Sequence, residues 1–216
     1  MKYLRSVTRS VAAAAVAVTA FAPLAAHAQT VLKLANFVPV TNVFTPSVVE
    51  PFVEGVKTDT NGDLVIQAYI GGELGTGPAE QYVRLLTGVA DISWSVTGYT
   101  STQFPKTMML DLPGGFPDAG KGYEAFWRAY EDHLKAEFPN ARPLAVWSAE
   151  PNIFIMREKE VRSPEDLKGL KIRVAGSVAG SLVEALGATP VYMNSFETYN
   201  ALQTGLIDGT VRRQGF

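Results

Sequence analysis

Among the residues able to do chemistry, Arg173 is the one with the most specific setting, in the run Lys171-Ile172-Arg173-Val174. Ile172 and Val174 fall on one face of a strand and Arg173 on the other. A guanidinium stays ionised, and its planar fork of donors matches a carboxylate or a phosphate. Judged on these residues alone, such an arginine is more often a solvated surface charge. Nucleophilic and metal chemistry have little to work with. The sequence has no cysteine and two histidines, His27 and His133, so thiol catalysis and thiolate metal sites are ruled out. His133 lies beside the stripe Tyr123, Phe126, Trp127, Tyr130 and Leu134, where a helix-surface position is the plain reading. A Ser-His-Asp triad or a histidine zinc site would have to rest on that one residue. Glu73, Glu80 and Glu150 are scattered carboxylates with no histidine arrangement beside them. An enzyme is disfavoured, and neither a metal nor a cofactor is implied.

The elements that must position these groups begin after a leader. Lys2, Arg5 and Arg9 precede an apolar run from Val11 to Ala22, and Ala26-His27-Ala28 supplies a small-x-small cleavage pattern. The run is shorter than the roughly 20 residues of a membrane span. Residues 1–28 are therefore expected to be a signal peptide cut after Ala28, giving an exported periplasmic chain from about Gln29. The formal net charge is −2, and loss of the three basic leader residues makes it more acidic still. Phosphate backbones and anionic lipid both require a basic surface, so neither nucleic acid nor a membrane is an expected partner.

Beyond the leader, strand-like and helix-like patterns alternate. Val31–Phe37 and Leu64–Ile70 read as strands, and Thr45-Pro46 as a cap and first turn of the helix between them. Gly77-Pro78 opens a second helix, and Ala90–Val96 reads as a buried strand. Gly122–Glu137 is an aromatic helix, while Arg142–Ser148 and Asn152–Arg157 read as consecutive strands. Ser163-Pro164-Glu165-Asp166 starts a short helix with a capping box. Strand 170–174, helix 177–186, strand 189–193 and helix 196–204 follow. This order predicts an α/β fold with largely parallel sheets flanked by helices. Within it Glu80, Tyr82, Leu85, Thr87, Gly88 and Asp91 recur at the same spacing as Glu197, Tyr199, Leu202, Thr204, Gly205 and Asp208. Each copy reads as a helix that ends at a glycine and passes into a strand near the aspartate. Two similar lobes are expected, with a ligand cleft between them.

The run from Ser163 to Val174 resembles the signature of DctP-type receptors of TRAP (tripartite ATP-independent periplasmic) transporters. So do the stretch Glu184–Met193, its continuation from Glu197 to Gly209, and the short pieces 72–75, 88–91 and Leu112-Pro113. The resemblance implies a two-lobed periplasmic binding protein-like fold closing on a small organic acid. It also implies delivery to membrane permease subunits driven by an ion gradient. It places Arg173 against the ligand carboxylate, and draws further contacts from Asn36 and Phe37, from Ser95, Thr97 and Gly98, and from Trp147. Trp94 and Tyr99 are read as core or interlobe packing. Lobe I is expected over 29–145, and a hinge strand with part of lobe II over 146–216, in a monomer. A receptor for an ABC importer or a signalling partner is the alternative, and a periplasmic enzyme a more distant one.

Departures from the family pattern narrow the ligand. Pro151 stands where sialic-acid-binding members carry a second arginine, and Ser195 where they carry phenylalanine, which argues against sialic acid. The family's asparagine contact near the end would fall at Arg212 and is not carried over. The family also continues past Asp208-Gly209 with further strands and helices, whereas here Thr210–Phe216 follows. The expectation from this is an incomplete second lobe.

Overall fold

Thr30–Ala35 forms strand β1, and Leu64–Tyr69 forms β2 parallel to it, with Leu34 opposite Ala68. The computed structural model describes residues 29–75, 77–114, 121–147 and 152–213. The expected leader and its cleavage site, Ser148, Glu150 and Pro151 lie outside the described residues. Parallel neighbours need a crossover. It is supplied by a wide π turn, Thr45–Val49, that runs into helix α1, Glu50–Asp59. Pro51 sits in the first turn of α1, where its missing N–H is no loss. The expected cap at Thr45 is not used. Phe44 is already helical, and the buried Thr45 hydroxyl donates to the Pro39 carbonyl at 3.4 Å while accepting from Asn36 Nδ2 at 3.4 Å. The capping acceptor is instead Asn42 Oδ1, which takes the Phe44 N–H at 2.9 Å.

Helix α2, Gln81–Leu86, leads to β3, Ile92–Ser93, on the other side of β1, giving the parallel order β2-β1-β3. The strand expected over Ala90–Val96 shrinks to two residues because only Leu34 and Ala35 of β1 remain to pair with it. From Thr97 to Thr100 the chain coils into a 3-10 turn instead.

The second half repeats this plan. Asn152–Met156 is β4, Lys171–Val174 is β5, a helix runs over Ser177–Ala185, Thr189–Tyr192 is β6, another helix runs over Thr198–Gln203, and Gly209–Arg213 is β7. Parallel β6, β5 and β7 reproduce the order β2-β1-β3, and β4 adds an antiparallel edge to β7. The sequence repeat has a structural cause. Asp91 Oδ2 accepts the Lys33 N–H at 2.8 Å, and Asp208 Oδ2 accepts the Lys171 N–H at 2.8 Å. Each aspartate also donates its own N–H to the carbonyl of that same lysine, so it clamps the central strand of its sheet. The preceding glycines hold matching left-handed turns, with φ of 72° at Gly88 and 73° at Gly205. Leu34, Phe37, Val38, Phe44, Val49 and Ile66 form the core under the first sheet. Leu167, Ile172, Val174, Val183, Ala188 and Val211 form the core under the second.

Between the halves, the single helix expected over Gly122–Glu137 breaks into three parts. They are an α-helix at Gly122–Ala129, a π turn at Tyr130–Leu134 and a 3-10 turn at Lys135–Glu137. The wider middle turn shifts the register enough to bury Leu134 beside Phe126 and Tyr130. His133 stays exposed, as expected. The strand expected from Arg142 is absent over 142–147. Pro143 removes a ladder donor, and no neighbouring strand pairs with this segment among the described residues.

The capping box at Ser163 forms as expected on the 3-10 turn Pro164–Leu167. The backbone N–H groups of Arg162 and Ser163, joined by the Ser163 hydroxyl, hold the Asp166 carboxyl below its ordinary value. A carboxyl whose folded value is depressed contributes stability above its unfolded value, near about 4, and that contribution is lost as the pH falls through the lowered folded value. Asp166→Asn is therefore expected to unfold at lower urea than the parent at pH 7, with the gap closing in acid. A gap of equal size in acid would contradict this.

Candidate functional site

Arg173 emerges near the C-terminal end of β5, opposite Val191 of β6 and Thr210 of β7. Carboxyl ends of parallel strands are where α/β sheets place their ligands. Both faces of this strand are covered. Ile172 and Val174 pack into the core, and Arg173 itself is only 3% exposed, so it is not the solvated arginine that residue type alone would favour. Its Nε donates to the Met193 carbonyl at 3.0 Å, and its Nη2 donates to the Tyr99 hydroxyl at 3.1 Å. Among the described residues no carboxylate pairs with it. A buried guanidinium held only by neutral acceptors is an unbalanced positive charge, and an anion would stabilise it.

Tyr99 brings the first half of the chain to this arginine. The 3-10 turn after β3 delivers its hydroxyl, which also accepts the Ser195 N–H at 3.2 Å. Asn194 orders that donor segment, its Oδ1 accepting the N–H groups of Phe196 and Glu197 at 2.9 and 3.2 Å. Beside the tyrosine, Gly98 and Gly176 bring the two backbones together so closely that a Cβ on Gly176 would collide with the Gly98 carbonyl. Phe37 lies edge-on to Tyr99 with centroids 6.5 Å apart, edge-on to Phe196 at 6.1 Å, and stacked on Trp94 at 4.6 Å.

The expected site residues therefore fall into separate groups. Arg173, Phe37 and Gly98 meet around Tyr99. Ser95, Thr97 and Trp147 instead line a cavity of about 910 Å³ walled mostly by the first half, with Trp94, Met108 and Phe126 in its wall and Asn152 and Leu182 reaching it from the second half. Trp147 stacks on Phe44 at 5.6 Å there. Asn36 is 1% exposed and serves the fold, accepting the Val38 N–H at 3.0 Å and donating to Thr45. Tyr82 also lines the cavity. Burial, with Tyr130 adding to it, pushes the Tyr82 phenol above its ordinary value, so it stays neutral at physiological pH. The Met193 carbonyl, the Ser195 N–H, Gly176 and Phe196 were not anticipated. Two are main-chain groups, which residue type does not reveal. Among the described residues no group of three His, Asp or Glu side chains is placed to hold a metal ion.

Residues 34–213 match the family model DctP, described as bacterial extracellular solute-binding protein, family 7. The chain belongs to this family. Family 7 consists of periplasmic solute-binding proteins rather than enzymes, and its α/β fold is the one seen here. A solute-binding protein of a TRAP system from a marine metagenome, crystallised with 3-hydroxybenzoate and specific for aromatic acids, is similar to this chain at 32% identity and a TM-score of 0.80. A TRAP solute-binding protein from Rhodoferax ferrireducens with copurified benzoate is similar at 29% identity and a TM-score of 0.79. Each comparison covers 85% of this family 7 chain and 57% of the other. The C4-dicarboxylate-binding periplasmic protein DctP of Rhodobacter capsulatus is 30% identical over 74% of this chain and 48% of its own length. This family 7 chain thus spans about half the length of the proteins it resembles.

Proposed function

We propose that this chain is the receptor part of a TRAP-type importer and binds a small organic acid through Arg173. The observation that carries the reading is the burial of this guanidinium without a carboxylate partner among the described residues. A ligand carboxylate would supply the missing negative charge, and the pairing would be a charge-assisted one away from water. Phe37, edge-on to the Tyr99 ring whose hydroxyl Arg173 holds, and Phe196, edge-on to Phe37, favour a ring over a short aliphatic chain, because aromatic pairs gain from edge-on contact as well as from burial. The aromatic acids bound by two of the related structures point the same way.

In this reading the chain is exported and cut after Ala28, acts as a monomer and passes its ligand to membrane permease subunits. The lobes divide near residues 145 and 146. Phe37, Gly98 and Arg173 contact the ligand. Asn36 supports the turn beneath Phe37, while Ser95, Thr97 and Trp147 flank the site from the adjoining cavity.

Calorimetric titration with benzoate and with benzamide, its uncharged isostere, tests the assignment. Benzoate is expected to bind and benzamide to bind at least about a hundredfold more weakly, the loss of a buried charge-assisted pair. Equal affinities would exclude a carboxylate anchor.

A further inference from the structure

The contacts of Tyr99 go beyond interlobe packing. Its hydroxyl oxygen receives two donors from the second half of the chain, Arg173 Nη2 at 3.1 Å and the Ser195 N–H at 3.2 Å. These donors come from different segments and converge on one oxygen. The guanidinium cannot easily turn away, because its Nε is held by the Met193 carbonyl at 3.0 Å. The phenol ring lies edge-on to Phe37, which is also edge-on to Phe196. An aromatic ring that carries an oxygen acceptor therefore already fills the place that Arg173 offers to an aryl carboxylate.

We propose that the Tyr99 hydroxyl is an internal stand-in for the ligand carboxylate, and that Tyr99 tunes affinity by competing with the ligand for Arg173 and the Ser195 N–H. This rests on the reading of Arg173 as the carboxylate anchor. A carboxylate oxygen is the stronger acceptor because it carries charge, so it displaces the phenol. A neutral amide or alcohol meets the same competition without the gain from charge. Binding affinity is reduced by the fraction of molecules in which the stand-in is seated. Tyr99 belongs to the first half of the chain and its two donors to the second, so the same bonds also hold the halves together before ligand arrives.

Tyr99→Phe removes the competing oxygen and keeps the ring. Benzoate is expected to bind the full chain of this variant about five- to tenfold more tightly than the parent, the value of one or two modest hydrogen bonds. Benzamide is expected to gain by the same factor, because both ligands must displace the same phenol. Unchanged or weaker benzoate binding would overturn the proposal. Arg173→Ala, titrated alongside, separates the two readings. If that change leaves benzoate binding intact, the anchor itself is wrong. If it abolishes binding while Tyr99→Phe has no effect, the anchor stands and the competition fails. Should Tyr99→Phe not fold, the parent protein gives the answer through the ring resonances of Tyr99 in labelled protein. They are expected to shift on saturation with benzoate, and a resonance that stays in place overturns the proposal.

Discussion

Arg173→Ala is expected to lower benzoate affinity by about 2–5 kcal/mol, roughly 30- to several-thousand-fold. The size follows from burial. At 3% exposure the guanidinium is largely withdrawn from water, so its attraction for an anion is little screened. Removing it also frees the Met193 carbonyl and the Tyr99 hydroxyl, which lose their shared donor. Stability should move much less than affinity, because the positive charge itself is costly to bury and its loss relieves that cost. Arg173→Lys is expected to recover only part of the affinity, since an ammonium cannot reproduce the planar fork. Isothermal titration checks the affinity and urea unfolding the stability. An affinity loss below about tenfold would place the carboxylate elsewhere.

The second large effect lies outside the ligand contacts. Glu137 is buried, and its carboxylate accepts the Lys106 N–H at 2.6 Å, the Thr107 N–H at 2.9 Å and the Thr107 hydroxyl at 2.7 Å. It thereby caps the 3-10 turn Thr107–Asp111, which carries Met108 into the wall of the cavity beside Trp94. Glu137→Ala strands these donors in the interior and is expected to cost about 2–4 kcal/mol of stability. Glu137→Gln keeps one acceptor oxygen and should cost less. Urea midpoints of the two variants give the comparison, and a loss below about 1 kcal/mol in the alanine variant would show that water replaces the carboxylate.

The reach of sequence reasoning here depends on whether a feature is local or spatial. The α/β class and the doubled plan were legible because the repeated helix, glycine and aspartate are short-range devices. Asp91 and Asp208 then do the same job on Lys33 and Lys171. The strand expected from Arg142 and the long strand from Ala90 were not found. Apolar runs say nothing about whether a partner strand lies alongside, and β1 ends too early to pair beyond Ser93.

In the candidate site Arg173, expected from the family motif, lies near Phe37 and Gly98, which the resemblance drew from a strand end and a loop, because all three meet around Tyr99. Asn36 sits beside Phe37 in sequence, yet its amide is committed to Thr45 and Val38. Tyr99 was visible only as an aromatic of core or interlobe packing. Its hydrogen bonds span 74 residues to Arg173 and 96 to Ser195, and no local pattern encodes such a meeting. The Met193 carbonyl and the Ser195 N–H are main-chain groups that any residue would supply.

The most direct measurement is a crystal structure of the protein saturated with benzoate. The account predicts carboxylate oxygens within hydrogen-bond distance of the Arg173 guanidinium and the Ser195 N–H, the ring beside Phe37 and Phe196, and the Tyr99 hydroxyl moved off Arg173. Benzoate seated in the cavity against Trp147, with Arg173 still bonded to Tyr99, would contradict it.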